Sequence, residues 1–158
     1  YKDEGLRASE FGNRRKALLK AILNDKGTIA REVKSMTDLS NLMDSGGFSA
    51  DEMIDALGEL TADHPRRAEF LCERAGITGW RKGEKEKALR MYDEAEAAAN
   101  GDEKRFAFIR TYRSWYMKDK LGDRAGALAI AKEVKLDLLP ETERKKTEKM
   151  IAELSAKK

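Results

Sequence analysis

Along the chain, hydrophobic residues return at three- and four-residue intervals, and each run of them is closed by a short polar turn. The first run, about Leu6 to Leu23, puts Phe11, Leu18, Leu19 and Ile22 on one side of a helix and Arg14, Arg15, Lys16 and Lys20 on the other. Asn24-Asp25-Lys26-Gly27 ends it, with Gly27 able to take the left-handed conformation of a helix stop. Thr28 then caps a second helix whose stripe is Ile29, Val33, Met36, Leu39 and Met43, and Asp44-Ser45-Gly46-Gly47 is the flexible loop behind it. Ser49-Ala50-Asp51-Glu52 is a capping box: the hydroxyl accepts from a free helix N–H while Glu52 reaches back. It opens a third helix with Met53, Ile54, Leu57 and Leu60 inward.

Thr61-Ala62-Asp63-His64-Pro65 breaks the pattern, and Pro65 or Arg66 starts a fourth helix with Phe70, Leu71, Ala75 and Ile77/Thr78 as its apolar side. A turn at Arg81-Lys82-Gly83 leads to a fifth, striped by Ala88, Leu89, Met91, Tyr92, Ala95 and Ala98/Ala99. Asn100-Gly101-Asp102 turns into a sixth that runs to about Lys120 and carries Phe106, Phe108, Ile109, Tyr112, Trp115, Tyr116 and Met117. Leu121-Gly122-Asp123 precedes a seventh with Ala127, Leu128, Ala131 and Val134. Pro140 starts a last helix, Glu141 to Leu154, with Met150, Ile151 and Leu154 inward and Lys145, Lys146 and Lys149 outward. The pattern predicts an all-α protein of about eight helices in consecutive antiparallel pairs, with no sheet.

Small residues (Gly76, Ala88, Ala95) stand where the fourth and fifth helices press most closely, and Gly83 marks their turn. With the Ala-x3-aromatic-x2-Ala run Ala88, Tyr92, Ala95, the stretch Glu69 to Asp102 resembles the tetratricopeptide repeat, a helix–turn–helix unit of about 34 residues. Cys72 replaces the usual Trp, Gly79 the usual Tyr, and Asn100 the common Pro. Gly122 follows Gly83, and Ala127 follows Ala88, by 39 residues in each case, so a second unit has a longer first helix, with Trp115 in place of a small residue. Thr28, Arg66 and Lys104, at the starts of alternate helices, are 38 residues apart (66 − 28 and 104 − 66). The resemblance implies a right-handed array of helix pairs. Residues 1–64 are N-terminal helices whose second and third form a degenerate unit, 65–140 are two units, and 141–158 are a polar helix that caps the array.

Composition narrows the class. Hydrophobic residues make up 41% and charged ones 39% of 158 residues, with a mean hydropathy of −0.70, as in a soluble, thin-cored helical protein; no apolar run is long enough to span a membrane. The chain starts at Tyr1 instead of Met, as a processed or excised piece would, and the compartment stays open between cytoplasm and periplasm. Cys72, the one cysteine, excludes an internal disulfide and reads as a buried thiol. Through His64 the chain has nine Lys/Arg against twelve Asp/Glu, −3, leaving +6 for the remainder of a total of +3. Seven acids and no Lys or Arg lie between Lys34 and Arg66, which on a helical repeat reads as a solvated outer face.

No metal-ligand spacing, phosphate-cradling glycine loop, nucleophile elbow or Cys/His pair occurs, so neither a cofactor nor catalysis is expected. Asp51/Asp55 and Asp55/Glu59, one helical turn apart, lack the apolar surroundings of an acid/base couple, and His64 beside Pro65 reads as a turn residue. By the resemblance, the first helices of the two units line a concave groove that receives a peptide. Groove positions fall on Phe70, Glu73, Arg74, Ile77, Trp80 and Arg81 in one unit and on Ile109, Tyr112, Arg113, Tyr116, Asp119 and Lys120 in the next. Arg74, Trp80, Arg81, Tyr112, Arg113, Tyr116 and Lys120 are of residue types that carry binding energy or pair with an acidic partner. The Lys/Asn set by which some family members clamp a terminal carboxylate is not matched. The expected function is a non-enzymatic scaffold or adaptor that binds a protein or peptide. Its alternatives are self-assembly of copies into a homo-oligomer and nucleic-acid binding through the basic C-terminal half.

Overall fold

A computed structural model describes residues 2–27, 29 and 33–156, with side chains from residue 10 onward. Eight α-helices and no strand occur among the described residues: α1 (Lys2–Asn24), α2 (Met36–Ser45), α3 (Ala50–Gly58), α4 (Arg67–Gly76), α5 (Lys85–Ala98), α6 (Glu103–Tyr116), α7 (Arg124–Glu133) and α8 (Glu141–Ser155). A single 3-10 turn, Leu136–Leu138, leads into α8. Among the described residues no helix is long and apolar enough to cross a membrane.

The helices start where side chains satisfy free backbone N–H groups. Ser49 and Glu52 form the expected box on α3. A second box, Ser35 with Asp38, opens α2 at Met36. Lys26, Gly27 and Ile29 are helical too, so the predicted stripe is interrupted ahead of Met36. The expected cap Thr28 lies outside the described residues. Gly27 does not adopt a positive φ; the chain turns instead at Asp25, whose carboxylate accepts from Gly27 N–H at 3.1 Å. Asp102 and Asp123 cap α6 and α7.

From α3 onward consecutive helices pack antiparallel, and α1 with α3, α2 with α4 and α4 with α6 lie side by side. The ties between such alternate helices join residues 35 to 39 positions apart: Arg15–Glu52, Lys16–Asp55, Lys26–Asp63, Asp44–Arg81 and Lys118–Glu153. Lys20–Glu59 at 3.0 Å extends the series along α1 and α3. This accounts for the acidic stretch. Asp38 caps α2, Asp44 and Asp51 pair with Arg81 and Lys82, and the other four acids pair with the basic side of α1. The acids are therefore one half of an interhelix ladder, where a merely solvated face was expected.

One hydrophobic core runs from Leu19 and Leu23 of α1 through Leu39, Met43, Leu57, Phe70 and Ala75 to Ile109 and Tyr116 of α6. Each buried Leu, Ile or Phe in it is stabilising by roughly 1.5–3 kcal/mol relative to exposure. Two satellite clusters, one around Val134 and Leu139 and one around Trp115, Ala131 and Met150, seat α7 and α8. The second halves of the two sequence units use alanine at their closest approach: Ala88, Ala95, Ala127 and Ala131 are all fully buried. Cys72 is likewise buried, and burial pushes its thiol well above the usual range, which makes it inert. On α1 the stripe departs from expectation: Leu19 and Leu23 face the core, while Phe11 and Leu18 are 62% and 56% exposed. The basic ladder turns α1 so that Arg15, Lys16 and Lys20 meet α3, and this carries Phe11 and Leu18 outward.

His64 joins α1 to α4. Its Nε2–H donates to the Leu23 carbonyl at 2.7 Å, and its Nδ1 accepts from Arg66 N–H at 3.1 Å. Both bonds need the neutral ring, and burial, with Lys26 and Arg66 nearby, lowers its pKa from 6.5 against the opposing pull of the Leu23 carbonyl and Asp63.

Two outcomes test this packing. Ala88→Leu overpacks the α4–α5 seam and is expected to destabilise by about 1–3 kcal/mol in denaturant titration. A folded-state His pKa below the unfolded value gives stability that is present above the unfolded value of 6.5 and is lost as pH falls toward the folded one. The stability advantage of wild type over His64→Gln should therefore narrow from pH ~7.5 to ~5.5, as read in thermal melts.

Candidate functional site

The first helices of the two units do not end as plain α-helices. Each widens into a π-helical turn, Ile77–Arg81 after α4 and Met117–Leu121 after α6. Lys82 N–H reaches back five residues to the Ile77 carbonyl at 3.3 Å, and Glu84 and Asp123 N–H reach back six, to Thr78 and Met117. Gly83 (φ 71) and Gly122 (φ 70) close these turns in the left-handed region, where a Cβ would be strained. A π turn displaces the residues that follow it around the helix axis, so Trp80, Arg81 and Lys120 do not sit where a 3.6-residue period puts them.

These turns border a cleft of about 220 Å³ built from four helices: Met36 and Ser40 of α2, Cys72 and Glu73 of α4 with Ile77, Trp80 and Arg81 of its π turn, Tyr92 of α5 and Tyr112 of α6. Arg81 closes one end. Its guanidinium makes two bonds to the Asp44 carboxylate, at 2.8 and 3.0 Å, and a third to Ser40 Oγ at 3.1 Å. Trp80 is the wall, 43% exposed, with Lys120 Nζ 5.1 Å from its ring centroid and the Tyr116 ring edge-on at 5.9 Å. Tyr112 is half-buried; its ring packs on Phe108 and Trp115, and its hydroxyl donates to Glu143 of α8 at 3.3 Å. Burial and the Glu143 charge raise its pKa further.

Glu73 is the exception among the charged groups of the cleft. Its carboxylate has no hydrogen bond or ion pair among the described residues, and its pKa is pushed up to about 7. Burial is the main cause, the Asp44 charge adds to it, and the Arg81 guanidinium pulls the other way.

The expected binding residues separate into three groups. Trp80, Arg81 and Tyr112 meet at this cleft, with Lys120 at its rim. Arg74 and Arg113, 39 positions apart, point to the opposite side. Arg74 Nε donates to the Ile54 carbonyl of α3 at 3.0 Å and its Nη1 to Glu94 of α5 at 3.2 Å. Gly58 leaves the room for it, since a Cβ there would lie 2.7 Å from the guanidinium. Arg113, its side chain 17% exposed, bridges Asp93 and Glu96 of α5 at 2.7 and 3.1 Å. Tyr116, expected in the groove, is fully buried, as are Phe70 and Ile109. Its ring lies on the bare backbone of Gly79, where a Cβ would come within 2.5 Å of it, and it touches Tyr92 at 5.7 Å between centroids. Sequence reading did not find Ser40, Asp44 or Glu143, because only the 37- and 31-residue ties bring α2 and α8 to this place.

Larger hollows offer less chemistry; an open one of about 400 Å³ lies along residues 83–87 and Arg90. One of about 420 Å³ at the starts of α4 and α6 contains Arg66 and Arg105, both paired with Glu69. Another, about 440 Å³, lies beside Phe106 between α5, α6 and the end of α7. Among the described residues no group of three or more His, Cys, Asp or Glu side chains is placed to hold a metal ion. Comparison with protein-family models, with curated proteins and with solved structures gives no match.

The Gly79–Tyr116 contact is testable by opposite effects. Gly79→Ala pushes a methyl group into the ring and should lower stability by about 1–3 kcal/mol. Tyr116→Phe keeps the ring and removes a buried hydroxyl that has no protein partner, so it should be neutral or stabilising in chemical denaturation.

Proposed function

We propose that this chain is a non-enzymatic interaction module, a right-handed tetratricopeptide-like array that holds a segment of a partner protein in the cleft between α2, α4 and α6. The observation that carries the reading is Trp80, a large ring left 43% exposed on the wall of a cleft whose other faces come from four separate helices. Exposed aromatic rings beside fixed polar groups are where binding energy concentrates. The cleft is also held open by structure that does not depend on a ligand: Arg81 is tied to Asp44 and Ser40, and Tyr112 to Glu143. The last helix continues the row of alternate helices, with Lys146 over the Trp115 ring at 3.9 Å, and its outer side is polar, as the end of an array requires.

Self-association is the second reading, favoured by one specific feature, the exposed Phe11 and Leu18 two turns apart on α1. Nucleic-acid binding has less support. Arg105, Arg110 and Arg113 of the C-terminal half spend their charge on Glu69, Glu96, Glu133 and Asp93.

Selection of peptides from a displayed random library on the whole chain tests the groove. Selected peptides are expected to lose binding to Trp80→Ala and Tyr112→Ala, with Trp80→Ala keeping the wild-type melting temperature because its ring is already half in water. Peptides that bind both variants as well as wild type would put the site elsewhere. A sedimentation mass of one chain, unchanged in Leu18→Glu, would remove the second reading.

A further inference from the structure

We infer that the cleft between α2, α4 and α6 takes the basic side chain, lysine or arginine, of a partner segment, with Glu73 as its counter-charge. The inference rests on the groove reading above and adds the chemistry of what enters it. Its first ground is the charge inventory of the cleft. Arg81 is saturated by Asp44 and Ser40, and Arg74 and Arg113 are turned away onto α3 and α5. No arginine fork is left in the cleft to meet an acidic partner. Among the described residues, Glu73 is the cleft-lining carboxylate without a hydrogen bond or ion pair, and Trp80, Tyr92 and Tyr112 line the same cleft.

The second ground is shape. A cleft of about 220 Å³ admits one long side chain and no helix. Its apolar lining (Met36, Ile77 and the rings of Trp80 and Tyr112) suits an aliphatic stem, and ring faces next to a carboxylate suit a cationic head. The groups facing Glu73 from every packed element agree with this. They are Asp44 and Ser40 on α2, Arg81 on its own helix, Tyr92 on α5 and Tyr112 on α6. Two charges oppose a cation, Arg81, which is offset by Asp44, and Lys120 at the rim, whose Nζ lies over the outer Trp80 ring.

The third ground is energetic. A half-buried carboxylate without a hydrogen bond is held partly protonated near neutral pH, since its pKa is about 7. A bound cation favours the ionised form, so binding releases a proton and strengthens as pH rises through that value. The fold itself has no use for this charge. A carboxyl with a raised folded-state pKa gives stability that is present at low pH and lost as pH rises, so Glu73→Gln is expected to melt at or above the wild-type temperature at pH ~8.

The test is an amide NMR titration of the labelled whole chain with three peptides that are identical except for two central residues, which are Lys, Gln or Glu. The lysine peptide is expected to shift the amides of Glu73, Ile77, Trp80 and Tyr112, and the Gln and Glu peptides to bind more weakly. Glu73→Gln should weaken the lysine peptide by about tenfold, the order expected when one member of a desolvated charge pair is removed. Wild type should weaken between pH ~8 and ~6, with no such trend in Glu73→Gln. A glutamate peptide that binds the same amides as well as the lysine peptide overturns the inference and leaves the groove. Absence of shifts at these amides with all three peptides overturns the groove as well. Putrescine binding as tightly as the lysine peptide would overturn the assignment to a partner segment.

Discussion

The Tyr116 ring seated on the backbone of Gly79 is the contact on which the rest of the site depends. A ring can approach a backbone this closely only where no side chain intervenes, so the contact fixes which turn of α6 meets which turn of α4. It leaves the Tyr116 hydroxyl without a protein partner, a loss of about 1–3 kcal/mol that the buried ring must exceed. With the register set, the residues preceding Tyr116 by one helical turn and following Gly79 by one position come together. These are Tyr112 and Trp80, the two aromatic walls of the cleft.

The interhelix charges act on the same register at lower energy. Exposed ion pairs such as Lys16–Asp55 or Lys26–Asp63 are each worth between about 0 and 1 kcal/mol. They add little to stability. The Asp44–Arg81 pair differs in having two bonds and a third to Ser40, so it fixes the orientation of a side chain as well as the position of a helix.

Much of this fold is legible in the sequence, because helix formation and the alanine seam are local or near-local facts. Ala88, Ala95, Ala127 and Ala131 announce close helix approach, Gly83 and Gly122 announce the turns, and all of them do what their residue types imply. The candidate site is only half legible. A period of 3.6 cannot foresee a π turn, and after such a turn the direction of Arg81 or Lys120 is no longer given by counting. Nor can a single chain tell Arg74 from Arg81, since both are arginines on one helix and its extension. What separates them is Gly58, which makes room on α3 for the first, and Asp44, which holds the second on α2. For the same reason Phe11 and Leu18 look like core: the pattern marks them as apolar, but the pairing of Arg15, Lys16 and Lys20 with α3 decides which side of α1 faces inward.

His64 and Glu73 show how differently one physical cost is met in two places. Both are titratable groups held away from water, and burial is the leading cause of each pKa shift. His64 is compensated: its neutral ring donates to Leu23 and accepts from Arg66, and the junction of α1 with α4 gains two bonds in return. Glu73 has no such compensation among the described residues, although Ser40, Tyr92 and Tyr112 line the same cleft. A polar group that stability alone would replace, on the wall of a cleft whose Arg81 is paired with Asp44, is most simply accounted for by a partner outside the chain. The same arrangement gives that partner its specificity, because an acidic or neutral side chain entering the cleft would leave Glu73 as costly as before.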